Sequence, residues 1–306
     1  MKRIKQTAGS HKMHQCWQNR VFDLVVFLLV TLCTAAVFYP LFFVVIASIS
    51  NPRLVQSGQV IFWPKDISFE GYRYILKDSR IWIGYRNTFF NTVAGTLFAM
   101  VLTVPSGYAL SRKDLRGRNM ITGIFVFTMY FGGGLIPTYL IVKNIGLIDT
   151  SLTLILLGSF SVYNLIICRT FFSTSIPMEL QEAAEIDGCT IGHFFTSVVL
   201  PLSKPILAIM ALYYAVGKWN DFFNGLIYIN KASLFPLQLI MRDILIQGQA
   251  VQASGVTDPK QLEQMQKIAM TIKYGAIIVS SLPILIFYPF IQKYFVKGVM
   301  IGSVKG

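Results

Sequence analysis

The sequence predicts an all-α membrane protein, and three observations support that class. Only 13% of the 306 residues are charged, whereas a soluble domain usually carries about 25%. Hydrophobic residues make up 54% of the chain, and the mean hydropathy is +0.57. Apolar stretches long enough to cross a bilayer recur along the chain. The composition excludes a disordered chain, a collagen-like fibre and a small disulfide scaffold, and it disfavours a soluble enzyme.

Six stretches are predicted as transmembrane helices, because each offers about 20 mostly apolar residues. The first resembles a signal peptide in position, but its apolar run is too long and no small-residue cleavage site follows it. The fifth contains Lys218 and Asp221 and is counted as a span with polar residues inside. The predicted spans are about 24–50, 87–111, 119–142, 150–172, 205–230 and 274–295.

The short loops predict the orientation of the chain. The N-terminal segment 1–20 is basic, and the loop 112–118 packs four positive charges into seven residues, whereas 143–149 has one lysine. Because basic loops stay inside, segment 1–20 and the tail 299–306 are predicted to be cytoplasmic, flanking one transmembrane domain over 21–298. This topology, together with lipid headgroups, accounts for the net charge of +13 without a nucleic-acid partner.

The loop 175–204 breaks the charge rule, because its predicted cytoplasmic position calls for basic residues. It carries Glu179, Glu182, Glu185 and Asp187 against Lys204. The pattern predicts a helix–turn–helix outside the bilayer.

Caps and turn residues define that helix pair. Ser175 is a candidate cap, Pro177 suits a first helical turn, Gly188 suits a left-handed stop, and Thr190 suits the next cap. A solvated acidic amphipathic loop is the open alternative. A DNA-reading motif is disfavoured, because the face is acidic.

The motif within this loop resembles the EAA loop of ABC importer permeases. It consists of Glu182-Ala183-Ala184, then Asp187-Gly188, then Leu200-Pro201. Segments 169–172 and 219–222 are similar to the carbohydrate-uptake branch, and the tail 302–306 is similar to maltose-type subunits. Segment 131–137 resembles the subgroup that handles complex oligosaccharides. The resemblance covers the chain from about residue 20.

The resemblance implies a type I ABC importer permease fold with cytoplasmic coupling helices. In that family the EAA loop sits in a groove on a separate ATPase subunit. Glu182 would then pair with a basic residue of the ATPase, and the small residues would permit close contact. The implied ATPase-coupling residues are Glu182, Ala183, Ala184, Glu185, Asp187, Gly188, Leu200 and Pro201.

The chain is not predicted to be an enzyme. It lacks the G-x-x-x-x-G-K-[ST] phosphate loop, the H-E-x-x-H zinc motif and the G-x-S-x-G nucleophile motif. His11, His14 and His193 are scattered, and the four cysteines show no paired spacing, so no metal site is expected. The chain should bind no cofactor itself, and ATP and Mg²⁺ would bind the partner ATPase.

Polar and aromatic residues inside the spans are candidates for the substrate path, because such groups are costly in a bilayer and tend to face a cavity or one another. Aromatic rings beside amides and carboxylates suit sugars. The alternative is packing at helix interfaces, and a Lys218–Asp221 pair would explain both charges structurally. The candidates are Tyr163, Asn164, Tyr213, Trp219, Asn220, Asp221 and Asn224.

The resemblance also implies partners in a bacterial cell membrane. They are an ATPase dimer, a second EAA-bearing permease that is a different chain, and an extracellular or periplasmic solute-binding protein facing the loop 51–86. The predicted function is therefore the permease subunit of an ATP-driven oligosaccharide importer. The alternatives are a permease for another solute class, a secondary transporter or channel, and a membrane enzyme. A secondary transporter would call for inverted repeats or an intramembrane charge chain, which the sequence does not display.

Overall fold

The computed structural model describes residues 17–253, 272–286 and 289, and every regular element within them is helical. The predicted segment before Trp17, the end of the sixth span and the tail 299–306 lie outside the described residues. A π-helical turn covers Phe195–Val199 and a 3-10 turn covers Ala232–Leu234. The α-helices are α1 (Trp17–Ser48), α2 (Pro52–Gln56), α3 (Glu70–Lys77), α4 (Ser79–Ser111), α5 (Arg118–Tyr130), α6 (Leu135–Asn144), α7 (Ser151–Leu156), α8 (Val162–Ser175), α9 (Met178–Ile186), α10 (Ile191–Phe194), α11 (Leu200–Leu202), α12 (Lys204–Trp219), α13 (Phe223–Tyr228), α14 (Leu237–Ala253) and α15 (Ile272–Ile286).

The chain divides into two compact units, and the first is Met1–Ser68. Its long helix α1 exposes apolar side chains from residue 21 to 41, as suits a helix whose solvent is lipid. After α1, Asn51 caps α2 by accepting a hydrogen bond from the Arg53 N–H at 3.1 Å. The Asn51 amide also donates to Asp66 at 2.6 Å, so the segment following α1 is folded back by its own polar groups.

The second unit, Phe69–Gly306, is organised around α4. This helix contacts α7, α8, α12 and α14. Glycines on α4 allow the close approach of its neighbours: a Cβ at Gly95 would lie 2.9 Å from Lys218 Cε, and one at Gly107 would lie 3.0 Å from Cys168 Cβ. Small residues at the contact face are typical of helix packing in membranes, where dispersion contacts replace the hydrophobic effect.

Two buried clusters pack at opposite ends of α4, separated by about 40 Å at 1.5 Å per residue. The first, here called the N-end cluster, joins α3, α4, α12, α14 and α15. The second, the C-end cluster, joins α4, α8, α12 and the segment 191–202. The N-end cluster comprises Ile75, Ile81, Trp219, Leu237, Ile240, Met241, Ala276 and Val279. The C-end cluster comprises Val104, Tyr108, Cys168, Phe172, Phe194, Val199, Ile206 and Met210.

Several predicted spans are divided in the structure. The predicted span 119–142 is two helices, α5 and α6, which meet at an angle of 109° beside Gly134, whose φ is +86°. The span 150–172 is divided between α7 and α8, and the span 205–230 between α12 and α13. Among the described residues, two helices are long and apolar enough to cross a membrane, or up to four if each bent pair is one span. The count of six stays a prediction.

Polar loop contacts hold the end of α13 near the loop before α7. The Asp149 carboxylate accepts hydrogen bonds from the backbone N–H groups of Asn230 and Lys231, the latter at 3.0 Å. Hydrogen bonds to the charged form favour it, so these N–H groups, led by that of Asn230, hold the pKa of Asp149 below its usual range.

Candidate functional site: the EAA turn and the polar span residues

The EAA segment forms a short helix that ends in a left-handed turn. Helix α9 starts directly after Pro177, and its last carbonyls are capped by the chain that follows. The N–H of Gly188 donates to Glu185 O at 3.0 Å, and that of Cys189 donates to Ala184 O at 2.8 Å. Gly188 has a φ of +72°, which confirms the expected left-handed stop.

The predicted caps of the helix pair have different outcomes. Thr190 accepts a hydrogen bond from the His193 N–H at 3.4 Å, so its predicted capping role is confirmed. Ser175 is the last residue of α8 and does not cap α9; Pro177 occupies the capping position instead. The local hydrogen bonds therefore fix the turn between α9 and α10 more firmly than the entry to α9.

Most of the predicted coupling residues lie on one exposed tip. Glu182, Ala183, Glu185, Asp187 and Gly188 are all exposed. Ala184 is half-buried and packs against the C-end cluster, as does Leu200, whereas Pro201 is exposed. The structure thus brings five of the eight residues together at the surface and uses two of the others to attach that surface to the core.

Two isoleucines beside the turn form part of this tip, and the sequence reasoning missed them. Ile186 is 86% exposed and Ile191 is 56% exposed. These aliphatic side chains add apolar area to the exposed polar turn, which a partner surface could cover. Their signal in the sequence was a large aliphatic residue on each side of Asp187-Gly188.

The tip is attached to the spans through the C-end cluster. Phe194 and Val199, from the segment that follows the EAA turn, are 3% and 0% exposed. They pack with Tyr108 of α4 and Phe172 of α8, whose rings meet edge to face at 5.8 Å. The segment 191–202 then joins α12 at a bend of 82°. The tip is therefore attached through one buried cluster to α4, α8 and α12.

The electrostatics of the tip distinguish Glu182 from Glu185. The Glu185 carboxylate accepts from the Gln181 amide at 2.8 Å and lies 3.8 Å from the Arg112 guanidinium. The same guanidinium donates to Asp114 and thereby holds the pKa of that carboxyl below its usual range. Within the described ranges, no cation lies within 4.0 Å of Glu182, so its charge is available to a partner.

The candidate path residues at the α12–α13 break are brought together, but two of them have packing roles. Trp219 is 7% exposed, belongs to the N-end cluster and donates to Ser280 O at 2.9 Å. Asp221 accepts from both the N–H and the side-chain amide of Asn224, at 3.1 and 2.8 Å, and so caps α13. Asn220 is exposed and donates to Val216 O.

The remaining candidates lie elsewhere on the second unit. Tyr163 and Asn164 occupy the first turn of α8, the tyrosine exposed and the asparagine buried, and Tyr213 is exposed on α12. Next to Tyr213, the Tyr214 hydroxyl lies 2.6 Å from the Thr103 hydroxyl and accepts from the Ser161 N–H at 3.3 Å. This pair joins α4, α8 and α12 through polar groups.

Lys218 does not have the partner that the sequence suggested. Its ammonium donates to the carbonyls of Leu154, Ile155 and Leu157, at 2.7, 2.9 and 2.5 Å. Asp221 is engaged by Asn224 instead. Both charged side chains therefore have structural contacts, but they do not pair with each other. Lys218 donates to backbone carbonyls, and Asp221 accepts from Asn224.

A buried polar stripe on α4 was missed by the sequence reasoning. Asn91, Thr92 and Thr96 carry buried polar atoms that have no hydrogen-bond partner among the described residues. The spacing of Asn87, Asn91 and the following threonines at intervals of four or five places them on one helical face. This periodicity was the available signal, but it was hidden by the high apolar content of the span.

Comparisons with known proteins agree with this architecture. No protein-family model matches the chain. The polygalacturonan/rhamnogalacturonan transport system permease protein YtcP of Bacillus subtilis (strain 168) is 39% identical over 295 residues, which covers 94% of this chain and 100% of that protein. Protein LplC of the same organism is 38% identical over 299 residues, covering 98% and 100%.

A solved structure is also similar. It is the crystal structure of a bacterial ABC transporter involved in the import of the acidic polysaccharide alginate. The TM-score is 0.80 and the identity 31%, with 92% of this chain and 98% of that chain covered.

An all-helical membrane core without a catalytic motif, similar over nearly its whole length to permeases of known transporters, defines a transport subunit. The chain belongs to the carbohydrate-type family of ABC importer permeases. Subunits of this family are non-catalytic components of the bacterial inner membrane and bind no cofactor themselves. ATP hydrolysis belongs to a separate ATPase, and the general partners are that ATPase, a second permease and a solute-binding protein.

Proposed function

We propose that this chain forms half of the translocation path of an oligosaccharide importer and transmits ATPase closure to that path through the EAA turn. The observation that carries the proposal is the exposed tip of α9, which is seated on a buried cluster shared by α4, α8 and α12. A rigid knob attached to several spans suits the conversion of a closing motion into a tilt.

The proposed substrate is an oligosaccharide, and one that carries carboxylates is favoured. YtcP is named for polygalacturonan and rhamnogalacturonan, and the structural neighbour imports the acidic polysaccharide alginate. Both names denote saccharides with uronic acids, and these two proteins are similar to this chain over more than nine-tenths of its length. The substrate path would include the exposed groups among the candidates, namely Tyr163, Tyr213 and Asn220.

The proposed topology has six spans, with the segment 1–20 and the tail 299–306 in the cytoplasm. The EAA loop 175–204 then faces the cytoplasm with the basic loop 112–118. A second, different permease would complete the path, and an external solute-binding protein would meet the loop 51–86. The proposed coupling helices are α9 and α10, and Mg²⁺ and ATP would bind only to the partner ATPase.

In this mechanism Glu182 forms the main charge contact with the ATPase. Its carboxylate is exposed and without a cation nearby in the described part of the chain, while Glu185 is already engaged on the same helix. Ala183 and Gly188 leave room for close approach, and the exposed Ile186 and Ile191 supply apolar contact area. The resulting contact would combine a charge pair with a small hydrophobic centre.

The test is the charge reversal Glu182→Lys in the complete complex. A glycan panel offered to the cognate solute-binding protein first identifies a transported oligosaccharide, and its ATP-dependent uptake is then measured in cells or proteoliposomes. Uptake should be abolished while membrane insertion is unchanged, because the substitution places like charges at the coupling contact.

Glu182→Gln, which removes the charge without reversing it, should retain part of the uptake. Reversing the paired basic residue of the ATPase should restore uptake to Glu182→Lys. Normal uptake and normal ATPase retention by Glu182→Lys would exclude the coupling role. Uptake that continues without ATP would favour a secondary transporter.

A further inference from the structure

A cleft of about 590 Å³ opens at the end of α4, beside the EAA helix but distinct from its exposed tip. Its walls come from the C-terminal end of α4, the turn before α5, the last turns of α8 and the first residues of α9. The cleft lies where α4, a helix long and apolar enough to cross a membrane, ends at Ser111. The end of such a helix is expected near the level of the lipid headgroups.

The lining of the cleft is strongly basic. Four cations and one carboxylate line the cleft, so the charged side chains sum to +3. These side chains are Arg112, Lys113, Arg118, Arg169 and Glu179. Arg112 is already engaged by Asp114. Within the ranges that the structure describes, no carboxylate lies within 4.0 Å of the other three cations.

Two of the arginines are held in place by the chain itself. Arg169 Nε donates to Leu110 O at 3.1 Å, and an Arg118 terminal nitrogen donates to Arg112 O at 3.2 Å. Both acceptors are carbonyls at the C-terminal end of α4, where backbone groups lack helical partners. A guanidinium carries five N–H donors, and these contacts use one from each. Both side chains are therefore oriented while most of their donors remain for a ligand.

We propose that this cleft binds a phosphate group, presented either by an anionic lipid headgroup or by a soluble phosphorylated molecule. An oriented guanidinium can donate two parallel hydrogen bonds to the oxygens of a phosphate. A phosphate has more acceptor oxygens than a carboxylate, so it can satisfy two arginines at once. The position at the end of membrane helices favours the lipid source, because basic pockets between such helices bind anionic headgroups. The inference is independent of the transported substrate and of the proposed ATPase contact.

Occupancy of the cleft acts on the EAA helix directly. Glu179 and Gln181 of α9 line the cleft together with the arginines. A bound phosphate would neutralise the excess positive charge between α4, α8 and α9 and would oppose Glu179. The site thus links the charge of the surrounding membrane, or of a soluble effector, to the position of α9.

The test uses the complete complex, purified free of native lipid and placed in nanodiscs of phosphatidylcholine with added phosphatidylglycerol. Retained phosphatidylglycerol is measured by native mass spectrometry. The double variant Arg118→Gln/Arg169→Gln should retain it about a hundredfold less, since each of the two charge-assisted contacts contributes about one decade in affinity. Arg116→Gln is the matched control, because Arg116 belongs to the same turn but does not line the cleft.

A second arm separates the two sources. Inorganic pyrophosphate is titrated onto the complex in nanodiscs of phosphatidylcholine alone. Binding that is lost in the double variant supports a soluble phosphate ligand, and selective loss of phosphatidylglycerol retention supports the lipid.

Equal retention and equal pyrophosphate binding in the parent, the double variant and Arg116→Gln would overturn the proposal. Ser173 lines the cleft, so a cysteine in its place reports access to the cleft. If the ATPase protects the Ser173→Cys thiol from labelling in lipid-free complex, a protein fills the cleft and the proposal is overturned. If the double variant does not assemble, Glu179→Gln replaces it. That change removes the opposing charge and should increase phosphate binding, and no increase refutes the site.

Discussion

The Lys218 ammonium joins α12 to the end of α7 inside the second unit. Its three N–H donors meet three backbone carbonyls, which terminate a helix of six residues. Carbonyls at a helix end have no partner in the helix, and the Lys218 ammonium supplies one at a site where the lysine is 8% exposed. The aliphatic stem of Lys218 passes over Gly95, where a Cβ would lie within 3.0 Å of it. The lysine is thus a structural donor whose route through the core requires a glycine on α4.

Lys218→Met should lower the free energy of unfolding by about 3 kcal/mol, because it leaves the carbonyls of Leu154 and Leu157 without a donor, while Ile155 O keeps the Ser159 hydroxyl. Denaturant unfolding of the detergent-solubilised complex measures the change. Lys231→Met is the matched control, because this exposed lysine contributes only its backbone N–H to Asp149. Equal stability of the two variants would show that the three carbonyl contacts contribute nothing.

The helix–turn–helix of the EAA loop depends on the backbone of Gly188. Its φ of +72° lies in the left-handed region, and no other group lies within 4 Å of the position of a Cβ, so substitution would introduce strain without a clash. Gly188→Ala should therefore destabilise the turn by about 1 kcal/mol.

Hydrogen exchange of the complex is the appropriate measurement for this substitution. The amides of residues 188 and 189, which cap α9, should exchange about fivefold faster in Gly188→Ala. Gly192→Ala provides the control, because it also meets open space but lies inside α10, where alanine is favourable. A change of the same size in both variants would contradict the special role of the left-handed turn.

The local features of α9 and α10 were predictable because their signals are short-range. Gly188 and Thr190 act through neighbours within five residues, so residue type and spacing indicate them. Lys218 is different: its carbonyl partners are more than sixty residues away, and only the packing of both α7 and α12 on α4 brings them together. The nearby Asp221 was the only partner that spacing could suggest.

The division of the predicted spans was also beyond the sequence reasoning. An apolar stretch such as 119–142 fits one continuous helix by length, yet 131–134 leaves helical geometry and the two halves meet at 109°. Glycines are tolerated inside a span or break it according to the surrounding helices, which the sequence does not show. Gly95 and Gly107 lie inside α4 against Lys218 and Cys168, whereas Gly134 has a φ of +86° and precedes α6.

At the scale of the whole second unit, the helices are held together at the two ends of α4. The N-end and C-end clusters hold the two ends of α4, and the EAA tip is attached to the C-end cluster and, through Glu185, to Arg112. Between the clusters, α4 presents Asn91, Thr92 and Thr96 as buried polar atoms without partners in the described part of the chain. In the proposed mechanism, a path at this level would be bordered by α4, α8 and α12, to which the EAA tip is attached through the C-end cluster.

The membrane topology determines whether the EAA tip faces the cytoplasm, and cysteine labelling can decide the topology. In a chain whose four cysteines are replaced by serine, we expect Trp63→Cys and Ile145→Cys to react with a membrane-impermeant maleimide in intact cells. Arg116→Cys should react only after permeabilisation, because basic loops remain inside. All three side chains are exposed, so access depends on the side of the membrane.

The pair at 116 and 145 is the most informative, since α5 and α6 lie between them and are bent by 109°. Opposite sides would mean that the bent pair crosses the membrane as one broken span. Labelling on the same side would mean that it re-enters, and the proposed count of six spans would then be wrong.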